Sequence, residues 1–98
     1  MKTFNDLQFK ERPIGGIAAQ HKFDNGFVIS VVAGAGMYST PRKDLTSPMD
    51  FSRFEVAVFA PNGDWATQQF FPNHNDDVLG WQNRGEINSL MLLVQSEN

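Results

Sequence analysis

Phe54–Phe71 reads FEVAVFA-PNGD-WATQQFF, and the rest of the chain can be placed around it. Two strand-like runs flank a Pro-Asn-Gly turn. Pro61 presets φ for the first corner of a type I turn, Asn62 tolerates the second, and Gly63 supplies the positive φ of a bulge. This turn sets Ala60 against Asp64, Phe59 against Trp65, Val58 against Ala66, Val56 against Gln68 and Phe54 against Phe70. One face then holds Phe54, Val56, Val58, Ala60, Ala66 and Phe70 and is almost wholly apolar. The other holds Glu55, Ala57, Phe59, Trp65, Thr67, Gln69 and Phe71. A type I′ turn on Asn62-Gly63 would slip the partner strand by one residue and mix the faces.

Residues 17–33 repeat the logic. Ile17–Phe23 and Phe27–Ala33 flank Asp24-Asn25-Gly26, a second turn of the same kind. The register pairs Phe23 with Phe27, His21 with Ile29, Ala19 with Val31 and Ile17 with Ala33. Ile17, Ala19, Phe23, Phe27, Ile29, Val31 and Ala33 share one face, and His21 falls among them as an expected buried core histidine. Asn83-Arg84-Gly85-Glu86 has the form of a capping box. Ile87, Leu90, Met91 and Val94 then recur at helical period, with Leu93 widening the stripe. The spacing predicts an α+β domain over residues 1–98. Its antiparallel sheet has four to five strands, in two hairpins at about 17–33 and 54–71. One C-terminal helix, about 84–96, lies on the apolar face.

Three segments are less regular. Phe4, Leu7 and Phe9 precede Pro13 and Gly15-Gly16, which predicts an edge strand or a loose arm. Residues 34–53 (GAGMYSTPRKDLTSPMDFSR) carry two prolines and two glycines and predict a long irregular loop. Asn75 or Asp76 is expected to cap one helical turn through Leu79, stopped by Gly80.

Composition narrows the chemistry. The 98 residues carry a net charge of −3 and no cysteine, which removes disulfides, thiolate catalysis and zinc–sulfur sites. Residues 1–53 hold seven Lys/Arg against five Asp/Glu, and residues 54–98 hold one against six. An acidic chain is a poor general binder of nucleic acid, so no direct nucleic-acid partner is expected. Met1–Asp6 has no apolar signal-peptide core, and the aliphatic run Leu90–Val94 is too short to span a bilayer. A cytoplasmic protein without membrane contact is expected.

Several of these runs together resemble a family of small proteins encoded by phages and prophages. They are Phe23-Asp24-Asn25-Gly26-Phe27, Ser30-Val31-Val32, Tyr38, Phe54-Glu55-Val56-Ala57-Val58 and Asp76-Asp77-Val78-Leu79-Gly80-Trp81. The family pattern runs F-x-N-G-Y-G-x-S-V-V, S-Y-G, Y-E-L-A-V and D-D-V-x-G-[YW]. Phe27-Val28 stands where the pattern has Tyr-Gly, and Ser39 follows Tyr38 in place of glycine. The resemblance implies a phage origin, and with it a host-cell cytoplasmic location. It implies no catalytic residues.

The candidate sites fall in three groups. In loop 34–43, Tyr38, Arg42 and Lys43, with Arg53 beyond it, could hold an anionic metabolite or signalling nucleotide, although the spacing of a phosphate-binding glycine loop is missing. A mobile solvated connection is the favoured reading of this loop. His74 with Asp76 and Asp77 could hold a divalent cation, but both carboxylates are better explained as charges at the start of a helical turn. Phe59, Trp65, Phe71 and Trp81 are large aromatics beyond what one sheet face and one helix can cover, and are candidates for an interface or for further core. No activated nucleophile is evident, and no cofactor or resident metal is expected.

The expected function is therefore a non-enzymatic, phage-encoded binder of a host protein, of the kind that inhibits a bacterial defence system. The alternative is a small-ligand binder that uses loop 34–43. A homodimer is expected, because the candidate edges 65–71 and Ile17–Ala33 are weakly guarded. Contact through one such edge or its odd face would bury Phe59, Trp65 and Phe71 against their copies, and the opposing expectation is that Phe4–Phe9 covers that edge within one chain.

Overall fold

The computed structural model describes all 98 residues and orders five antiparallel strands as a simple meander. The strands are β1 (Lys10–Glu11), β2 (Ile17–Lys22), β3 (Val28–Ala33), β4 (Phe54–Phe59) and β5 (Leu79–Gln82). Two helices complete the fold, a single turn α1 (Thr67–Phe70) and the long α2 (Arg84–Gln95). Helix α2 covers one face of the sheet, and the other face carries no helix.

The β2–β3 hairpin has the expected register, from Ile17↔Ala33 to His21↔Ile29. Phe23 N–H bonds Phe27 O at 2.8 Å and Gly26 sits at φ +92°, so the turn chemistry is as read. The second turn has the same form, with Gly63 at φ +93° and Ala60 N–H bonded to Asp64 O at 2.8 Å. Pairing of Val28 with Phe59 lays the two turns side by side, so a Cβ on Gly26 would sit 3.0 Å from Pro61.

Beyond its turn the 54–71 hairpin departs from expectation. Phe59 and Trp65 form an isolated bridge, and Ala66 N–H still reaches Val58 O at 2.7 Å. Pairing then stops. The buried Thr67 hydroxyl takes the Val58 N–H at 2.9 Å and donates to Asp77 O at 2.6 Å. One side chain thus replaces the next rung of the ladder, and Thr67–Phe70 closes a helical turn. The place beside β4 passes to β5, with Val56↔Leu79 and Phe54↔Gln82. The helical turn expected at 76–79 is absent, and Leu79 opens a strand instead. Residues 65–71 are therefore no sheet edge, and the dimer edge expected there does not exist.

The core is built from the faces the pattern named. Ile17, Ile29, Val31, Phe54, Val56 and Val58 meet Ile87, Leu90, Met91 and Val94 of α2, all buried. Leu93 does not widen the helix stripe, since it and Leu92 are each 53% exposed. The Asn83–Glu86 capping box forms, with reciprocal bonds of 2.8 and 2.9 Å.

The N-terminal segment is both arm and edge strand. Phe4 and Leu7 pack into the core before β1 begins. Loop 34–53 is irregular but anchored. Phe51 is buried, Ser39 Oγ accepts from Gly34 N–H at 3.1 Å, and Thr40 bridges Arg53. Arg84 fastens the loop to α2. Its guanidinium donates to Phe51 O at 2.9 Å and Pro48 O at 2.6 Å, and stacks 5.0 Å from the Phe4 ring and 5.3 Å from Phe54.

Candidate protein-binding face

Alternation along the strands sends a second set of side chains to the helix-free face. The rows run Ala18–Val32–Glu55, then Gln20–Ser30–Ala57, then Lys22–Val28–Phe59 with Trp65 bridged beyond. The middle of this face is small and uncharged. Its ionisable side chains, Lys10, Lys22 and Glu55, stand at its margins, and Glu55 accepts the Tyr38 N–H at 3.1 Å.

An aromatic pair occupies each of two corners. At one, the rings of Phe59 and Trp65 lie 4.7 Å apart, and Trp65 is 53% exposed. The type I turn directs this corner, because it fixes the Phe59–Trp65 bridge before Thr67 ends the ladder. A shallow depression of about 300 Å³ beside Phe59 is lined by Lys22, Val28, Ala60 and Pro61.

The other corner is made by a bulge. Gly80 and Trp81 together oppose the single residue Glu55, and Trp81 takes φ +55°, the only non-glycine residue with positive φ. Such a conformation is unusual for a bulky residue. It is held by Trp81 N–H to Tyr38 O at 2.9 Å and by Arg53 to Trp81 O at 2.9 Å. The Tyr38 and Trp81 rings lie 5.0 Å apart, 42% and 47% exposed. Gly80 is required by close approach: a Cβ there would lie 2.9 Å from Tyr38 Cβ.

Three of the four aromatic interface candidates therefore border this face: Phe59, Trp65 and Trp81. Phe71 does not. It is half-buried and packs against the core. The anion-binding candidates separate. Tyr38 belongs to the aromatic corner, with the Arg42 guanidinium 5.6 Å from its ring centre. Arg53 is committed to Trp81 O and to Glu86 at 3.4 Å. Lys43 has no polar partner. None of these four lines any of the three surface depressions. His74 Nε2 lies 2.6 Å from Val78 O, and Asp76 Oδ1 accepts Asp77 N–H at 2.7 Å, so these groups are turned to the backbone. His21 is half-buried at the rim of the core, its ring edge-on to Phe23 at 4.9 Å.

Sequence reasoning missed the roles of Thr67, Arg84 and Asn25. Asn25 Nδ2 donates to Val94 O and Glu97 O at 2.8 and 2.9 Å, so a turn residue closes the C-terminus of α2. Its turn propensity hid this second task. No helix is long and apolar enough to cross a membrane. No family model, curated protein or solved structure matches the chain.

Proposed function

We propose that this chain is a non-catalytic binding protein that engages a host protein through its helix-free sheet face. The observation that carries the reading is the pair of exposed aromatic corners, Phe59–Trp65 and Tyr38–Trp81, bordering an uncharged centre. Interface cores are depleted in charge and anchored by Trp, Tyr and Arg. The phage-like sequence pattern supports a target in a bacterial host, of which a defence-system component is the specific candidate. The same pattern supports action in the host cytoplasm. When no target is present, the face pairs two copies of the chain through Phe59 and Trp65, with Phe71 taking no part.

The anionic-ligand reading finds no favouring geometry, because Arg53 faces Glu86 rather than Arg42 and Lys43. The test is affinity purification from host lysate with the wild-type chain and two double variants. Trp65→Ala/Trp81→Ala should lose an enriched partner that Leu92→Ala/Leu93→Ala, on the outer face of α2, retains. A clean purification with wild type across several salt concentrations would contradict the proposal, as would equal retention by both variants.

A further inference from the structure

The sheet also has an open edge. Strand β1 is two residues long and pairs only with Ile17 and Ala18 of β2. Before Lys10 the chain leaves β2 and crosses to α2. Two side chains of α2 hold it there. Asn88 accepts the Phe4 N–H at 2.7 Å, and Gln95 exchanges bonds of 2.9 and 2.7 Å with the Lys2 backbone. The outer edge of β2 past Ala18 is left without a strand.

Ladder alternation shows which groups are free. Phe23 bonds inward to Phe27, so His21, Ala19 and Ile17, at steps of two, also turn their backbone groups toward β3. Gln20 and Lys22 turn theirs outward, and no backbone or side-chain partner meets them. Two adjoining depressions, of about 430 and 320 Å³, run along this edge and share Lys2 and His21. Lys10 lines the first and Lys22 the second.

The charge of the slot opposes that of the chain. Three of the eight Lys/Arg residues of a protein with net charge −3 gather here. Lys2 stands on the wall formed by the N-terminal segment, while Lys10 and Lys22 stand on the sheet side. Asp6 and Asp24 also line the slot, but the Asp6 carboxylate already accepts the Thr3 N–H at 2.8 Å. Lysine alone on an edge discourages chance pairing. Here the lysines flank a recess from both sides, with free N–H and C=O groups between them.

We propose that the outer edge of β2 accepts an extended acidic segment of a partner protein as an added strand. Gln20 and Lys22 supply the main-chain bonds. Alternate side chains of the segment point to opposite faces of the sheet, so one set of carboxylates meets Lys10 and Lys22 and the other meets Lys2. This surface is an edge, distinct from the sheet face proposed above, and either can stand without the other.

Backbone amide exchange tests it, with a nine-residue peptide of repeated Glu-Glu-Val, which sets carboxylates on both faces of a strand, as the probe and its Lys-Lys-Val counterpart as control. Saturation with the acidic peptide should slow exchange of the Gln20 and Lys22 amides at least tenfold, and the control should not. Lys22→Glu should weaken binding of the acidic peptide at least tenfold, and added salt should weaken it too. Gln20→Pro removes an outward N–H without touching the β2–β3 ladder and should also weaken binding; if proline disturbs the strand, Lys22→Glu decides. Unprotected Gln20 and Lys22 amides would overturn the proposal. Equal slowing by citrate or by a single-stranded oligonucleotide would also overturn it, since the site would then read charge and not a strand.

Discussion

Trp81 carries two opposing terms. A left-handed backbone costs a bulky residue about 1–2 kcal/mol. Stacking of its ring on Tyr38 returns about 0.5–1.5 kcal/mol. Trp81→Gly relieves the first and forfeits the second, so thermal stability should change by less than about 1 kcal/mol. Target binding should fall sharply. Calorimetry beside a binding measurement checks the pair, and a large stability loss would make Trp81 a structural residue.

Thr67 behaves differently. Thr67→Val keeps the shape but leaves the buried Val58 N–H without its 2.9 Å acceptor, a loss of about 1–3 kcal/mol. Urea denaturation should show it.

Asp6 carries the acid sensitivity that the structure identifies. The Thr3 N–H holds its carboxyl below the ordinary value of 3.8, with Lys2 adding to the effect against partial desolvation. A lowered folded value means stability present above the unfolded value and lost as pH falls through the folded one. Asp6→Asn should therefore flatten the stability profile below about pH 4 and leave the neutral range unshaped by this group.

At the scale of elements, two independent turn signals and one helical stripe made most of the fold legible. Gly26 and Gly63 fixed both registers, and Ile87, Leu90, Met91 and Val94 are the buried face of α2 as their spacing predicts. The second limb of the 54–71 hairpin failed for a local reason. The pattern of apolar residues continued past Ala66, but the Thr67 hydroxyl captured the rung that Val58 would have offered to a strand. Sequence offered a weak signal in Gln68-Gln69, which favour helix over strand. The partner that replaced this limb, Leu79–Gln82, was obscured because Gly80 reads as a stop and Trp81 breaks alternation at a bulge.

Arg84 is the element-scale contact least visible in sequence, since its partners Phe51, Pro48, Phe4 and Phe54 lie 30 or more residues away. Arg84→Ala should destabilise by about 2–4 kcal/mol through two charge-assisted bonds and the ring contacts. Arg84→Lys should recover little, because an ammonium cannot serve both carbonyls and stack as a planar group.

At the scale of the whole molecule, one large surface is left uncovered. A standard interface takes about 800 Å² from each partner. The chain exposes 5744 Å² within extents of 36 × 27 × 24 Å, so a contact of that size needs most of one side. The helix-free sheet face is such a side. The aromatic candidates read from sequence gather around it, with the exception of Phe71, while the loop cations do not converge. Composition flagged the surplus of aromatics; only the fold distributes them to two corners.

The proposed pairing of two copies would use the same side. Light scattering should give a mass twice the 11.0 kDa of the chain at micromolar concentration. Trp65→Ala should weaken the dimer more than Arg42→Ala. A monomer throughout that range would remove the pairing of copies and leave the host contact to stand by itself.

Binding of a host protein by the helix-free face can be read by site-specific photocrosslinking in host cells, with a photoreactive residue placed either at Ser30, in the middle of that face, or at Ser89, on the exposed side of α2. A discrete covalent adduct with a host protein is expected from position 30 and none from position 89. An adduct from position 89 alone, or from neither position, would contradict it.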